Sequence, residues 1–153
     1  MGENKLSIKA MIMAAGAGTR LEPLTLSKPK PLVPIANTPI MEYTLDTLNK
    51  HNIKDFIFNT YHLGNQIVEH FINNEKFKEF NLEYIEEKEL SGTAGGVKKC
   101  ENFLKKSDTI VIMSGDGLTD VNLTELIEKH KKAGAIASMG LKKVPLEDVI
   151  HFG

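Results

Sequence analysis

The chain has no tryptophan and a single cysteine, and its 153 residues carry no surplus of either charge: 19 Lys and Arg stand against 20 Asp and Glu, a formal net of −1. Cys100 has no partner for an internal disulfide, which removes the stapled secreted scaffolds and fits a reducing compartment. Without a global basic field nothing gathers nucleic acid or an anionic membrane, so any anion site has to be local. No apolar run approaches the roughly 18 residues of a membrane span, and no charged-then-apolar leader opens the chain. Met1-Gly2 also lacks the Ser or Thr at position 6 that myristoylation requires. The expectation is a cytoplasmic protein with no nucleic-acid or membrane partner; a homo-oligomer is compatible with the sequence.

What is present is an ordinary globular composition, 41% hydrophobic and 25% charged, at a length suited to one domain. Five of the six prolines lie between Pro23 and Pro39, and seven of the 12 glycines fall in three clusters, Gly16/Gly18, Gly92/Gly95/Gly96 and Gly115/Gly117. Each cluster follows a run that reads as a strand: Ile8 to Ala15, Leu82 to Glu86 and Thr109 to Met113. Lys54 to Thr60 and Ala135 to Val144 supply two more expected strands. Between them, helical stripes run through Met41, Leu45 and Leu48 behind a Thr38 cap and Pro39, and through Leu63, Ile67, Val68, Phe71 and Ile72. A third passes through Val97, Cys100, Phe103 and Leu104. The fourth, Leu123, Leu126, Ile127 and His130, opens on the capping-box spacing of Asn122 and Glu125. Alternating strand and helix predicts an α/β fold, a mostly parallel sheet covered by helices on both faces. Ligands of such sheets bind beyond the carboxyl ends of the strands, where all three glycine clusters fall. The chain stops where a further strand would begin, and it reads as a truncated piece.

The stretch Ala14-Ala15-Gly16-Ala17-Gly18-Thr19-Arg20-Leu21-Glu22-Pro23 opens like a nucleotide loop. It is not a dinucleotide fingerprint, since Leu21 stands where a third glycine belongs, and it has no Gly-Lys-Ser/Thr of a P-loop. Pro23, Pro29, Pro31 and Pro34 prevent a long helix from starting there, so an ordered arch is expected. Glycines let backbone N–H groups come close to phosphate oxygens, and Arg20 adds a planar fork of donors. Lys30, between two prolines, has its ammonium aimed by a stiff backbone and suits a phosphate; the plain alternative makes Lys28 and Lys30 solvated loop charges. Asp116, delivered between glycines at the end of an apolar strand, suits Mg2+ bridging phosphate oxygens, or else serves as a turn or cap residue.

With Lys28-Pro-Lys-Pro-Leu-Val-Pro, Thr38-Pro-Ile, Leu90-Ser-Gly-Thr-Ala-Gly-Gly and Ser114-Gly-Asp-Gly-Leu-Thr-Asp, the first loop resembles the sugar-1-phosphate nucleotidyltransferases over nearly the whole chain. Within that family the mannose-1-phosphate guanylyltransferase branch is the most similar. The resemblance implies a Rossmann-like three-layer sandwich of the nucleotide-diphospho-sugar transferase type. Residues 1–153 would form its N-terminal nucleotide-binding part, and the C-terminal sugar-binding part would lie outside the chain. It implies that Arg20 and Lys30 contact phosphates and are the catalytic pair, and that Ala14, Ala15, Gly16, Ala17, Gly18, Thr19, Glu87, Gly92 and Thr93 bind the nucleotide. Asp116 would hold Mg2+, Gly92 would contact the base and Glu87 would face the base edge. Ionised glutamate only accepts hydrogen bonds, and guanine's edge offers two donors, which favours GTP; Glu86, Glu87 and Glu89 also read as a solvated acidic edge beside Lys88.

The implied reaction joins a nucleoside monophosphate, from GTP by preference, to a sugar 1-phosphate, mannose 1-phosphate by preference, with release of pyrophosphate. A phosphate monoester with a second pKa of about 6 arrives largely dianionic, so no general base is needed. The alternatives are a non-catalytic nucleotide-binding or regulatory module, and a uridylyl-, thymidylyl- or adenylyltransferase. Asp120, Cys100 and the histidines carry no companion motif and are expected to serve the fold.

Overall fold

The computed structural model describes residues 7–143. The chain divides into two compact units, one ending at Thr119 and one beginning at Asp120. In the first, strands β1 (Ile8–Met13), β4 (Asp55–Thr60), β5 (Asn81–Glu86) and β6 (Thr109–Ser114) form one parallel sheet in the order β5-β4-β1-β6. A two-residue antiparallel pair, β2 (Pro34–Ile35) and β3 (Thr38–Pro39), stands apart from it. Helices α1 (Ile40–Lys50) and α2 (Gly64–Ile72) connect the strands, as do α3 (Gly92–Lys99) and the short α4 (Glu101–Leu104). The expected α/β class with a parallel sheet is what forms.

Side-chain alternation explains the layering. Central β1 and β4 are nearly continuous apolar runs, as strands covered on both faces must be. On one face Met11 and Ile57 pack with Cys100, Phe103 and Leu104, joined by Met13, Ile85 and Val97. Phe56 and Phe58 point the other way: Phe58 meets Phe71 of α2 edge-on at 6.2 Å and lies over Tyr84 of β5, while Phe56 contacts Phe80 at 5.3 Å. The third expected helix is interrupted at Cys100, yet its whole stripe stays in the core. Cys100 is buried, and burial first, then the Glu87 charge, pushes its thiol up to about 11. A thiol-exchange reagent at pH 8 should therefore leave the folded chain unmodified and titrate one thiol after denaturation; prompt reaction of the folded protein would contradict the packing.

Three local expectations need correction. Thr38 does not cap α1: it pairs with Ile35, Pro39 is the N-cap residue, and the first helical amide, Ile40 N–H, donates to the Val33 carbonyl at 3.1 Å. β1 ends at Met13 rather than Ala15, because the Ala14 amide is taken by a side chain (below). Residues 135–143 form no strand; Val144 lies outside the described residues. The second unit, over its described residues, holds helix α5 (Leu123–Ala133) and no strand, so this segment has no ladder to complete, and Ile136, Met139 and Leu141 are exposed. The α5 start is as expected, with Asn122 Oδ1 accepting from Glu125 N–H at 3.1 Å, and the helix ends at a left-handed Gly134. No helix among the described residues is long and apolar enough to cross a membrane.

Candidate functional site

The carboxyl ends of β1, β4, β5 and β6 open into a cleft of about 330 Å3. Its walls include Ala14, Ala15 and Gly16 after β1, Lys30 and Pro31 of the arch, Asn59 of β4, Glu87 after β5, Leu90, Gly92 and Thr93 around the start of α3, and Ser114 and Asp116 after β6. Four strand exits far apart in sequence meet here because the parallel strands deliver them to one edge of the sheet, and the arch adds a fifth stretch. Gly115 holds two of those exits together: its N–H donates to the Met13 carbonyl at 2.9 Å, and a Cβ at this position would stand 3.0 Å from that same oxygen. Behind the end of β6, Thr44 of α1 donates to the Ser114 carbonyl at 3.2 Å.

The proline-rich arch is a chain of three short 3-10 turns, Thr19–Leu21, Leu24–Leu26 and Lys30–Leu32, consistent with the expectation that no long helix starts at the glycines. Gly18 sits at φ 74, and its carbonyl accepts from Thr25 Oγ1 at 2.8 Å, so here glycine serves the folding of the arch. His62 Nε2 lies 2.8 Å from the Thr25 carbonyl, and Gln66 Nε2 donates to the Ser27 carbonyl at 3.1 Å; α2 and the turn leading into it thus brace the arch.

Of the residues expected at the site, the structure gathers Ala14, Ala15, Gly16, Lys30, Glu87, Gly92, Thr93 and Asp116 around the cleft. Ala17, Gly18, Thr19 and Arg20 are not among its lining; Arg20 is exposed on the first turn of the arch. Lys30 and Asp116 form an ion pair, with side chains 24% and 32% exposed, and Ser114 Oγ donates to the same carboxylate. Burial alone would raise the Asp116 carboxyl; the hydrogen bonds from Lys30 and Ser114 outweigh it and hold it ionised below its ordinary range.

Glu87 corrects an expectation. Its side chain is 4% exposed, and its carboxylate is committed inside the protein rather than offered as a base-edge acceptor. Oε1 accepts from Asn59 Nδ2 at 2.7 Å, while Oε2 accepts from Ser91 N–H at 3.1 Å, Ser91 Oγ at 2.6 Å and Lys99 Nζ at 3.0 Å. Burial opposes the charge, but the bonds from Ser91, Asn59 and Lys99 bring the carboxyl down to about 2. A carboxylate that already accepts four hydrogen bonds has little left for a guanine edge, so the acceptor argument for GTP loses its footing. The solvated acidic edge is equally absent at this position. Asn59, which the sequence reading passed over, is 5% exposed and accepts from Ala14 N–H at 2.9 Å through Oδ1. Its signal was an asparagine ending the otherwise apolar run Phe56-Ile57-Phe58.

Among the described residues no group of three or more His, Cys, Asp or Glu side chains could together hold a metal. Asp116 still fits Mg2+, a hard ion that commonly takes one or two carboxylates and completes its shell with water and phosphate oxygens.

An α/β sheet with a cleft beyond the carboxyl ends of its strands, walled by glycine loops and a lysine–aspartate pair, is the architecture in which open α/β sheets bind their ligands. The chain belongs to the nucleotidyl transferase family, whose model matches residues 9–153. It is 37% identical over 156 residues to a UTP–glucose-1-phosphate uridylyltransferase of Synechocystis, covering 95% of this chain and 40% of that protein. With a mannose-1-phosphate guanyltransferase of Yarrowia lipolytica it shares 35% identity over 138 residues, 90% of this chain and 38% of that one. The chain thus spans about two-fifths of the length of these relatives. Among solved structures, HddC from Yersinia pseudotuberculosis, complexed with GMP-PN, has the same fold at a TM-score of 0.70 and 23% identity, over 80% of this chain and 53% of that one. The family and fold expected from the motifs are therefore those found.

Proposed function

We propose that this chain is the nucleotide-binding part of a cytoplasmic enzyme that transfers a nucleoside monophosphate from a nucleoside triphosphate to a sugar 1-phosphate and releases pyrophosphate. The observation that carries this reading is the meeting of the Ala14–Gly16 loop, Lys30, the Gly92–Thr93 turn and Asp116 around one cleft. The phosphates would lie along the first loop, near the Lys30 ammonium; Arg20, on the exposed turn, would reach them from the rim. The base would lie against the backbone at Gly92, and the sugar contacts would be supplied largely from outside this chain. Mg2+ held by Asp116 would neutralise charge shared between phosphate oxygens. What the protein contributes is alignment of two anions that repel each other, and no histidine or thiol is needed for it.

GTP and mannose 1-phosphate are the first substrates to try, on the likeness to guanyltransferases. UTP and glucose 1-phosphate form the second reading, favoured by the likeness to a uridylyltransferase, and the internal commitment of Glu87 leaves no side-chain acceptor argument for GTP against it. A triphosphate at 100 times its Kd should add about 2.7 kcal/mol and raise the melting temperature by several degrees. A rise with GTP or with UTP identifies the base, and pyrophosphate release on adding the sugar phosphate and Mg2+ separates an enzyme from a binding module. No shift with any triphosphate would discredit the nucleotide reading itself.

A further inference from the structure

Asn59, the penultimate residue of β4, has a side chain that engages two loops at once. Its Oδ1 accepts from Ala14 N–H at 2.9 Å on the phosphate side, and its Nδ2 donates to Glu87 Oε1 at 2.7 Å on the base side. The orientation of the amide is fixed by its partners, because a backbone N–H can only donate and an ionised carboxylate can only accept. An ionised aspartate lacks the donor, and leucine supplies neither function. Glu87 carries the connection onward to Ser91 at the N-cap of α3 and to Lys99 in its last turn. From the core side the contact is closed by Gly96, where a Cβ would stand 2.7 Å from Asn59 Nδ2 and 3.2 Å from Glu87 Oε1. The result is a buried, fully partnered bridge that forms part of the cleft's own lining.

We propose that Asn59 is a positioning residue that fixes the distance between the phosphate-binding loop and the base-binding turn. This rests on the nucleotide reading of the cleft. A triphosphate binds better than its two halves only when both subsites are held at the separation the ligand requires, so the bridge acts on the advantage of linkage and not on either subsite alone.

The test compares three probes by calorimetry on the 153-residue chain at constant Mg2+: whichever of GTP and UTP stabilises the wild type, its nucleoside, and inorganic tripolyphosphate. Asn59→Ala should weaken the triphosphate about tenfold while changing the nucleoside and tripolyphosphate less than about twofold. Equal losses for all three probes would indicate an ordinary structural role and overturn the proposal, as would an unchanged triphosphate affinity. Should Asn59→Ala fail to fold, Asn59→Asp keeps the volume and the acceptor for Ala14 but sets a carboxylate against Glu87, and the same selective loss is expected. A wild type that binds no triphosphate overturns the nucleotide reading together with this one; an unselective loss in a triphosphate-binding protein overturns this one alone.

Discussion

Glu87→Gln is expected to destabilise the folded chain by about 3 kcal/mol at pH 7, since a carboxyl held at about 2 against an ordinary 4.5 stores roughly 1.4 kcal/mol per unit of difference. For a domain of this size that is a fall of roughly 6–12 °C in the melting temperature. The sign follows from the direction of the shift. Folding lowers this pKa, so the stabilisation is complete above the unfolded value of 4.5 and disappears as pH falls through about 2. The wild type and Glu87→Gln should therefore differ most at neutral pH and converge in acid. Glu42 shares the wild-type acid sensitivity: burial works against its charge, and hydrogen bonds from Lys76 and His70 outweigh it. It is present in both proteins, and the difference between their melting curves isolates Glu87. An equal deficit at pH 7 and near pH 2 would mean that the glutamine disturbs packing instead of removing a stabilised charge.

The sheet was legible because its strands announce themselves as apolar or alternating runs and because β1, β5 and β6 are each followed by a glycine cluster, with helical stripes between the runs. Lys30, Asp116 and the Ala14–Gly16 loop were legible for the same reason: strand ends and stiff prolines dictate where such residues go. What could not be read was which side chains bind one another. Glu87 and Lys99 are 12 residues apart and Asn59 lies 28 residues before Glu87, so only the folded sheet turns an apparently solvent-facing glutamate into a buried acceptor. The segment 135–143 failed for a complementary reason. The alternating apolar residues Ala135, Ala137, Met139 and Leu141 describe a face, but a strand also needs a neighbour to hydrogen-bond, and sequence periodicity carries no information about that neighbour. Likewise the Thr38 cap lost to a two-residue ladder, and the carbonyl of Val33, just before that ladder, satisfies the helix amide instead.

Asp116→Asn is expected to move binding and turnover in opposite directions. In the cleft the Lys30 ammonium rests on the Asp116 carboxylate, so a triphosphate arriving without metal meets a cation already neutralised and a negative charge beside it. Asparagine removes that charge and keeps the shape. Metal-free triphosphate affinity, measured with a chelator present, should rise about tenfold, the worth of roughly 1.4 kcal/mol of relieved repulsion and regained attraction. Pyrophosphate release with Mg2+ and a sugar 1-phosphate should fall by at least about tenfold to a hundredfold, because the carboxylate that would hold the ion is gone. Lys30→Ala separates the two roles: it deletes the cation itself, so binding should weaken by about tenfold with or without metal, and turnover with it. A merely structural ion pair would behave otherwise, since breaking it from either side would lower stability and leave ligand affinity alone. If Asp116→Asn weakens metal-free binding, then Asp116 does not restrain Lys30, and the phosphate has to be sought elsewhere along the arch, with Arg20 the next side chain to replace.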